Sequence, residues 1–425
     1  MSPGEAAATR AWVLHPDLKS DRDRRDASRA LDEAVSLAAA LPGLELAGAE
    51  IVPLARPHAG HLFGTGKIEE LKQRLAQAEV ELVLIDGPVT PVQQRNLEKS
   101  WGVKLLDRTG LILEIFSDRA ATREGVLQVE MAALSYQRTR LVRAWTHLER
   151  QRGGLGFVGG PGETQIEADR RAIDTQLVRL RRQLDKVVKT RDLHRKSRAK
   201  VPYPIVALVG YTNAGKSTLF NRLTGAEVLA RDMLFATLDP TMRAVRLPDG
   251  GPEVILSDTV GFISDLPTEL VAAFRATLEE VLAADLIVHV RDISHPETEA
   301  QAADVRDILT RLGVSDSVAM IELWNKLDLV PGDEAQALTA MAARHDDVFA
   351  VSAVTGAGLD AALAEIATRL QGAQVTQVLT LPFSAARARA WLHEQGIVVA
   401  EKPGKDGHEI TVRWTARQEA RFRAL

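Results

Sequence analysis

The sequence predicts an α/β protein in which a small parallel α/β subdomain with a long helical hairpin precedes a larger α/β domain, and a small α+β domain follows. Two stretches alternate short apolar runs with amphipathic segments, as strands and helices of a parallel sheet do. Between them, two apolar series with heptad-like spacing indicate long paired helices. We therefore predict domains over residues 1–117, 118–200, 201–371 and 372–425.

The bulk composition fits a folded protein of several domains. Of 425 residues, 45% are hydrophobic and 26% are charged, and the net charge is only -4. The absence of cysteine excludes disulfides, thiolate metal sites and a cysteine nucleophile, and suits a reducing compartment. No apolar run reaches the roughly 18 residues of a membrane span, and the amino terminus lacks a secretory pattern. We expect a cytoplasmic protein with no membrane span.

The first domain is assigned from alternating apolar and amphipathic stretches. Strands are predicted over residues 11–14, 44–53, 81–85 and 103–106, and helices over 26–41, 68–78 and 91–100.

The helical hairpin is assigned from two apolar series and the segment between them. The series are Leu127, Met131, Leu134, Leu141, Trp145 and Leu148, interrupted at Arg138, and then Ile173, Leu177, Leu180, Leu184 and Val187. The segment from Gly153 to Glu163 has six glycines in its first ten residues, which no helix tolerates, so we predict a non-helical tip. Residues 166–200 carry twelve Lys/Arg against five Asp/Glu. This basic helix is either a solvated face or a contact for a phosphate backbone.

Beyond prolines at 202 and 204, which end the hairpin, a second α/β stretch runs over residues 205–371. The last domain is predicted as a strand over 376–381, a helix over 385–395, a strand pair around 402–405 and a terminal helix, without a catalytic constellation.

A phosphate-binding loop is predicted at the start of the second α/β stretch. The segment Gly210-Tyr-Thr-Asn-Ala-Gly-Lys-Ser217 fits G-x-x-x-x-G-K-[ST] and lies between an apolar strand and a helix, as the motif requires. Gly210 and Gly215 let backbone N–H groups turn toward phosphates. Lys216 is expected to reach the β- and γ-phosphates, and the Ser217 hydroxyl to bind Mg²⁺.

The base is indicated by Asn325-Lys-Leu-Asp328, directly behind an apolar strand. The Asp328 carboxylate can accept two hydrogen bonds from guanine, whereas adenine offers no such donor pair. Lys326 can lie along the purine. A capped helix start explains the motif if it stands alone. Its order behind a phosphate loop favours guanine recognition.

Three further pieces complete a guanine-nucleotide switch. Asp258 ends a strand and can hold Mg²⁺ through water, and the Gly261 N–H can meet the γ-phosphate. Thr237 is our choice for the threonine that closes on Mg²⁺, with Thr241 as the competitor. Backbone N–H groups of residues 352–354 can meet the guanine oxygen. The second α/β stretch is therefore predicted to be a P-loop GTPase domain.

The predicted site comprises overlapping sets of residues. The catalytic set is Lys216, Thr237, Gly261 and Phe262, and the Mg²⁺ set is Ser217, Thr237 and Asp258 through water. The GTP-binding set is Gly210, Tyr211, Thr212, Asn213, Ala214, Gly215, Lys216, Ser217, Thr218, Phe235, Ala236, Thr237, Leu238, Asp239, Asp258, Thr259, Val260, Gly261, Asn325, Lys326, Asp328, Ser352, Ala353 and Val354. Phe262 stands where many small GTPases have a water-orienting glutamine, so we predict slow turnover without a partner.

The chain resembles the HflX-type GTPases, which associate with the ribosome, over roughly residues 53–369. The motifs that carry the resemblance are Asp107-Arg-Thr-Gly-Leu-Ile-Leu-Glu-Ile-Phe116, Leu127-Gln-Val-Glu130, Trp145-Thr-His-Leu-Glu-Arg-Gln151, Gly162-Glu-Thr-Gln-Ile-Glu167 with Asp169-Arg-Arg171, and Phe274-Arg-Ala-Thr-Leu-Glu-Glu280. The resemblance implies binding to the large (50S) ribosomal subunit and roles in ribosome splitting, rescue or biogenesis. It also implies that the Gly153–Glu163 tip and the basic helix of residues 166–200 contact ribosomal RNA.

Three features depart from that family or stay open. The tip lacks the arginine that the family often carries there and is one residue longer, and the role of the last domain does not transfer. Adenine nucleotide binding by the first domain has Gly64-Thr-Gly-Lys67 as its local candidate, although a plain strand–helix turn explains it better. We expect a monomer. The alternatives are a P-loop ATPase or small-molecule kinase, and a nucleotide-gated scaffold for a protein or free RNA.

Overall fold

The structure is a computed structural model. It describes residues 8–20, 25–151, 161–198, 203–226, 234–235, 237, 241–248, 251–264, 279–314, 318–371, 375–404, 407–414 and 416–423. Within them, no helix is both long and apolar enough to cross a membrane.

The amino-terminal sheet has four parallel strands in the order β2-β1-β3-β4. Its strands are β1 (Thr9–Leu18), β2 (Leu44–Leu54), β3 (Leu82–Ile85) and β4 (Lys104–Asp107), and its helices are α1 (Ala27–Ala39), α2 (Thr65–Gln77), α3 (Pro91–Trp101) and α4 (Arg108–Arg119). The predicted strands and the first three helices are confirmed. α4 was not predicted, because it is apolar around most of its circumference and so has little amphipathic pattern. The Asp107 side chain caps it by accepting the Gly110 N–H at 2.8 Å.

Two long helices, α5 (Arg123–Gln151) and α6 (Pro161–Arg198), form the predicted hairpin. Arg138, which interrupts the apolar series of α5, pairs with Asp174 of α6 at 2.7 Å. One boundary of the predicted tip is wrong. α6 begins at Pro161, so Pro161, Gly162 and Glu163 are helical. Proline is tolerated in the first helical turn because its missing N–H has no partner there. The rest of the tip, residues 153–160, lies outside the described residues.

Among the described residues, the second sheet has six strands in the order β10-β9-β8-β5-β7-β6, and of these pairs only the edge pair β6/β7 is antiparallel. The strands are β5 (Ile205–Val209), β6 (Thr241–Arg246), β7 (Glu253–Asp258), β8 (Leu286–Asp292), β9 (Ala319–Asn325) and β10 (Val348–Ala350). The described helices around them are α7 (Lys216–Thr224), α8 (Glu279–Leu282), α9 (Thr298–Leu312), α10 (Gly332–Ala342) and α11 (Leu359–Gln371). The carboxyl ends of β5, β7 and β9 carry the predicted nucleotide motifs to one edge of the sheet.

The carboxy-terminal part is a three-stranded antiparallel sheet in the order β11-β13-β12. It contains β11 (Val375–Pro382), α12 (Ala386–Glu394), β12 (Val398–Pro403), β13 (Gly407–Trp414) and α13 (Ala416–Arg423), which confirms the predicted order of elements. Its own small core centres on Leu392, Ile410 and Trp414, each at most 1% exposed.

One hydrophobic core joins the amino-terminal domain to the nucleotide-binding domain. Leu37 of α1 and Phe116 of α4 belong to the same buried cluster as Phe235 and Phe262. The rings of Phe116 and Phe235 meet edge to face with centroids 4.6 Å apart. The amino-terminal domain therefore packs directly against the segments that carry Thr237 and Gly261.

Candidate functional site

The phosphate loop connects β5 to α7, and its two outer glycines are required by close neighbours. A Cβ atom at Gly210 would lie 2.1 Å from the Val290 carbonyl oxygen. A Cβ at Gly215, where φ is +93°, would lie 2.2 Å from the Asn325 side-chain nitrogen. Any other residue at either position would displace β8 or the base motif, so the loop geometry depends on glycine.

Lys216 begins α7 with its ammonium group buried under the loop. Its Nζ donates to the carbonyl oxygens of Gly210 at 3.1 Å and Tyr211 at 2.8 Å. Burial lowers the pKa of Lys216 to about 8, although the nearby Asp258 carboxylate acts in the opposite direction. The lysine ammonium group is therefore held against the backbone of the loop.

Three oxygen-bearing side chains meet next to this lysine. The Ser217 Oγ donates to Asp258 Oδ2 at 2.7 Å, and the Thr237 Oγ1 lies 2.8 Å from Ser217 Oγ and 3.0 Å from Asp258 Oδ2. Burial raises the pKa of Asp258 even though Lys216 lies nearby. Thr241, the competing threonine, starts β6, and its backbone pairs with that of Asp258.

This oxygen cluster fits a small hard cation. Asp258 Oδ1 is buried and has no hydrogen-bond partner among the described residues, an expensive state for a carboxylate oxygen. Mg²⁺ prefers a carboxylate, hydroxyl groups and water as ligands, and Ser217, Thr237 and Asp258 supply the first two kinds.

The segment after β7 is joined to the phosphate loop by its backbone. The Phe262 N–H donates to the Gly210 carbonyl at 3.1 Å, and the Thr212 N–H donates to the Phe262 carbonyl at 2.7 Å. A Cβ at Gly261 would lie 2.8 Å from the Thr212 methyl carbon. The Phe262 side chain is 1% exposed and packs into the core shared with the amino-terminal domain. The Phe262 backbone therefore contacts the phosphate loop, whereas its ring lies in the shared hydrophobic core.

Asn325 joins the phosphate loop to the loop that follows β10. Its side chain donates to the Ala214 carbonyl at 2.8 Å and accepts the Ala353 N–H at 2.8 Å. Lys326 follows with a left-handed backbone (φ 65°), and its Nζ lies 2.8 Å from Asp292 Oδ2. The Asp328 carboxylate accepts a hydrogen bond from the Ser352 hydroxyl. Asn325 and Asp328 are thus both hydrogen-bonded to the loop that follows β10, whereas Lys326 pairs with Asp292.

The loop after β10 differs from its predicted use. The Ser352 N–H donates to the Ala357 carbonyl at 3.0 Å, and the Ala353 N–H is taken by Asn325. Two of the three predicted N–H donors are therefore occupied within the protein, because the chain turns tightly here with the Gly356 N–H bonded to the Ser352 carbonyl. Val354 is the remaining member of that predicted set.

Other members of the predicted GTP-binding set face away from the site or lie outside the described residues. The Thr259 hydroxyl donates to the Leu208 carbonyl at 2.6 Å, and Val260 is buried in the shared core. Ala236, Leu238 and Asp239, like most of the segment from Phe274 to Glu280, lie outside the described residues.

A polar network between domains was missed from the sequence. The Tyr211 hydroxyl, in the phosphate loop, donates to Glu33 of α1, accepts the Ser264 N–H at 2.9 Å and lies 2.8 Å from the Ser264 hydroxyl. Arg108 of α4 donates to Glu33 at 2.5 Å, to Asp86 at 2.7 Å and to the Ser264 carbonyl at 2.9 Å.

A second contact reaches the segment that carries Thr237. Arg119, at the end of α4, donates to the carbonyl oxygens of Leu234, at 2.8 Å, and Phe235. Tyr211 is a variable position of the loop motif, so its hydroxyl gave no signal. The Asp107-Arg-Thr-Gly motif did mark Arg108, but not its partners.

Four family profiles together match most of the chain. They are described as GTP-binding GTPase N-terminal (residues 28–117), GTP-binding GTPase Middle Region (119–198), 50S ribosome-binding GTPase (205–326) and HflX C-terminal domain (337–423). The similarity therefore extends beyond residue 369, where the resemblance seen in the sequence ended, into the carboxy-terminal domain.

Individual relatives agree with the profiles. A protein named GTPase HflX from Magnetococcus marinus is 49% identical over 394 residues, which are 93% of this chain and 90% of the relative. Another GTPase HflX, from Escherichia coli, is 40% identical over 94% of this chain and 92% of its own length. Among solved structures, a GTP-binding protein from Sulfolobus solfataricus in complex with GDP is 22% identical, with a TM-score of 0.45, and the match covers 85% of this chain and 99% of that one.

These relatives set aside the P-loop ATPase and small-molecule kinase alternatives. The chain belongs to the HflX family of GTPases, and it is an enzyme that binds and hydrolyses GTP.

Proposed function

We propose that this GTPase acts on the large ribosomal subunit, in ribosome splitting, rescue or biogenesis, and that its hairpin contacts ribosomal RNA. The observation that carries the proposal is α6, whose 38 residues extend over roughly 57 Å at 1.5 Å per residue. Its exposed cations between residues 167 and 187 are Arg170, Arg171, Arg179, Arg181, Arg182 and Lys186. The same stretch exposes the carboxylates of Glu167, Asp169 and Asp185, so cations are in excess along this long arm, and such an excess suits a phosphate backbone. The profile description 50S ribosome-binding GTPase supports the same partner. The predicted RNA contact of the Gly153–Glu163 tip remains part of this proposal.

Co-sedimentation with isolated ribosomal subunits tests this function. The protein loaded with a non-hydrolysable GTP analogue is expected to migrate with the large subunit, and the GDP-bound protein to migrate less with it. Replacing Arg179, Arg181 and Arg182 by Gln should weaken this binding and reduce its salt dependence, since phosphate contacts displace counterions. The matched control replaces Arg306, Arg311 and Arg344, which lie on or just after helices of the nucleotide domain. Equal losses in both triple variants would contradict the α6 contact. Failure to migrate with the large subunit, together with binding to a protein or free RNA, would favour the scaffold alternative.

For the chemical step, the proposed roles follow the side chains described above. Residues 210–217 cradle the phosphates, Lys216 donates to them, and the Gly261 N–H meets the γ-phosphate. Ser217, Thr237 and Asp258, the last through water, would hold Mg²⁺. The buried Asp258 Oδ1, which lacks a hydrogen-bond partner within the described part of the chain, supports this assignment. When bound at these residues, Mg²⁺ would neutralise charge on the phosphates.

Guanine recognition is proposed for Asp328, with Asn325 and Lys326 shaping its surroundings. Asp328→Asn should shift preference from guanine toward xanthine, because the new amide donates where the carboxylate accepted. Competition between GTP and XTP measures the shift. An unchanged GTP preference would refute the role of Asp328.

Turnover without the ribosome is proposed to be slow. The buried Phe262 ring cannot orient a water molecule, so completion of the site falls to the partner. Single-turnover hydrolysis should therefore accelerate on adding large subunits, and equal rates with and without them would contradict this idea.

The four-domain division at residues 117, 200 and 371, a monomeric state and a cytoplasmic location with the ribosomes complete the proposal.

A further inference from the structure

The last turn of α7 holds the loop that follows β10. Arg222 donates from Nη1 to the Val354 carbonyl at 2.7 Å and to the Ala353 carbonyl at 3.4 Å, and from Nη2 to the Thr355 carbonyl at 3.0 Å. One guanidinium thus binds three consecutive carbonyl groups. We propose that Arg222 is the positioning residue that fixes this loop for guanine and so sets discrimination against adenine. The inference rests on the proposed base site and adds to it a residue outside the predicted set.

The direction of the carbonyl groups determines the direction of the N–H groups. In a planar trans peptide, the C=O of one residue and the N–H of the next point in opposite directions. The Ala353 and Val354 carbonyls face Arg222, so the N–H groups of Val354 and Thr355 point to the opposite side. The Thr355 N–H confirms this side, because it donates to the Ser352 hydroxyl at 3.1 Å, which itself donates to Asp328. Arg222 therefore turns the Val354 N–H toward the side of the base-reading carboxylate.

The loop is shaped to receive the guanidinium. A Cβ at Gly356, where φ is +91°, would lie 2.3 Å from Arg222 Nη2. Glycine at this position therefore leaves the space in which the planar fork of arginine binds. A lysine, with one compact ammonium group, cannot serve three carbonyl groups in the same way.

The same helix carries the phosphate-binding lysine. α7 runs from Lys216 to Thr224, so Arg222 lies six residues, about 9 Å along the axis, beyond Lys216. Asn325 adds a second tie, from the phosphate loop to the Ala353 N–H. Arg222 consequently anchors the base-contacting loop to the phosphate-binding helix, and Asn325 anchors it to the phosphate loop.

This geometry distinguishes purines by the substituent at C6 of the ring. An N–H held toward the base site pairs with the oxo group of guanine or hypoxanthine, whereas adenine presents an amino group there and the donors oppose each other. Asp328 reads a different part of the base, the N1–H and 2-amino donors. Arg222 and Asp328 therefore control separable parts of specificity.

Nucleotide competition with Arg222→Ala tests the inference. We expect the affinities for GTP and ITP to fall together by about tenfold while the affinity for ATP stays the same. The ratio of GTP affinity to ATP affinity therefore decreases by about tenfold. The KM for GTP should rise more than kcat falls. Arg222→Lys should retain part of the discrimination. Arg311→Ala, which removes an exposed arginine from an i,i+4 pair on α9, is the matched control and should leave all ratios unchanged.

Each outcome decides the inference. Equal losses of GTP and ATP affinity in Arg222→Ala, or an unchanged GTP/ATP ratio, would overturn it. If Arg222→Ala does not fold, the same comparison is made with Arg222→Lys, for which an unchanged ratio is the overturning result. Asp328→Asn is measured alongside. A xanthine shift there with no effect at Arg222 refutes only this inference, whereas unchanged guanine preference in Asp328→Asn refutes the proposed base site.

Discussion

Replacing Arg108 by Met removes the central cation between the amino-terminal domain and the nucleotide-binding domain. The Arg108 side chain is 8% exposed and binds Glu33, Asp86 and the Ser264 carbonyl at 2.5–2.9 Å. Deleting one partner of a buried ion pair costs about 3–5 kcal/mol, because the other charge is left buried without compensation. Glu33 keeps Arg25 at 3.0 Å and Asp86 keeps His15 at 2.8 Å. We therefore place the expected loss in unfolding free energy at the lower end, about 3 kcal/mol.

Urea unfolding of the full chain, followed by tryptophan fluorescence, measures this loss. The matched control is Arg74→Met, since Arg74 is 46% exposed and pairs with Glu50 at 2.6 Å. An exposed pair of this kind contributes about 0–1 kcal/mol. Equal destabilisation by the two substitutions would refute the argument from burial.

The pH dependence of the Arg108→Met effect provides a second check. Burial alone would raise the pKa of Asp86, but the hydrogen bond from His15 and the charge of Arg108 outweigh it and hold that pKa below its ordinary value. A lowered folded-state pKa contributes stability above the unfolded pKa and loses it as the pH falls through the folded pKa. The difference between wild type and Arg108→Met should therefore shrink in acid, and a difference that grows in acid would contradict the assigned pairing.

Three further perturbations address the nucleotide site and the shared core. Burial lowers the pKa of Lys216 to about 8, and bound phosphates favour its protonated form, so GTP affinity should fall as the pH rises above 8, approaching tenfold per pH unit. Calorimetry in buffers of different ionisation enthalpy should show proton uptake on GTP binding at pH 8.5. The absence of proton uptake would contradict the assignment. Gly215→Ala should weaken GTP binding by more than about 100-fold through its 2.2 Å clash with Asn325, whereas Gly313→Ala, also at positive φ but with open space around it, should cost only about 1 kcal/mol of stability. Phe116→Ala should lower the free energy of unfolding, measured by thermal or urea unfolding, by about 3–5 kcal/mol. The control is Phe383→Ala, at a ring that is 59% exposed, and a similar loss in the two variants would rule out a buried interdomain role for Phe116.

Local patterns determined the elements and the chemistry of the GTPase. The strand, the glycine loop and the helix around Gly210 could be predicted because each depends on residues close in sequence. The helical hairpin could be predicted from its heptad-like spacing for the same reason. Arg138, which interrupts that spacing, has a partner in the facing helix. α4 was not predicted from the sequence because a helix that is buried on most sides lacks the polar stripe from which the helical period is recognised.

Only the tertiary structure decided which of these pieces touch. Tyr211 and Glu33 are 178 residues apart, and no local periodicity connects a variable loop position to a helix of another domain. The same holds for Asn325, whose amide joins Ala214 to Ala353, and for Arg222, whose carbonyl partners lie 131 to 133 residues further along the chain. The sequence alone therefore determined that this protein binds GTP through a P-loop and carries a basic hairpin. Packing decided that the amino-terminal domain contacts the phosphate loop, because side chains distant in the chain become neighbours only when the sheets bury their faces together.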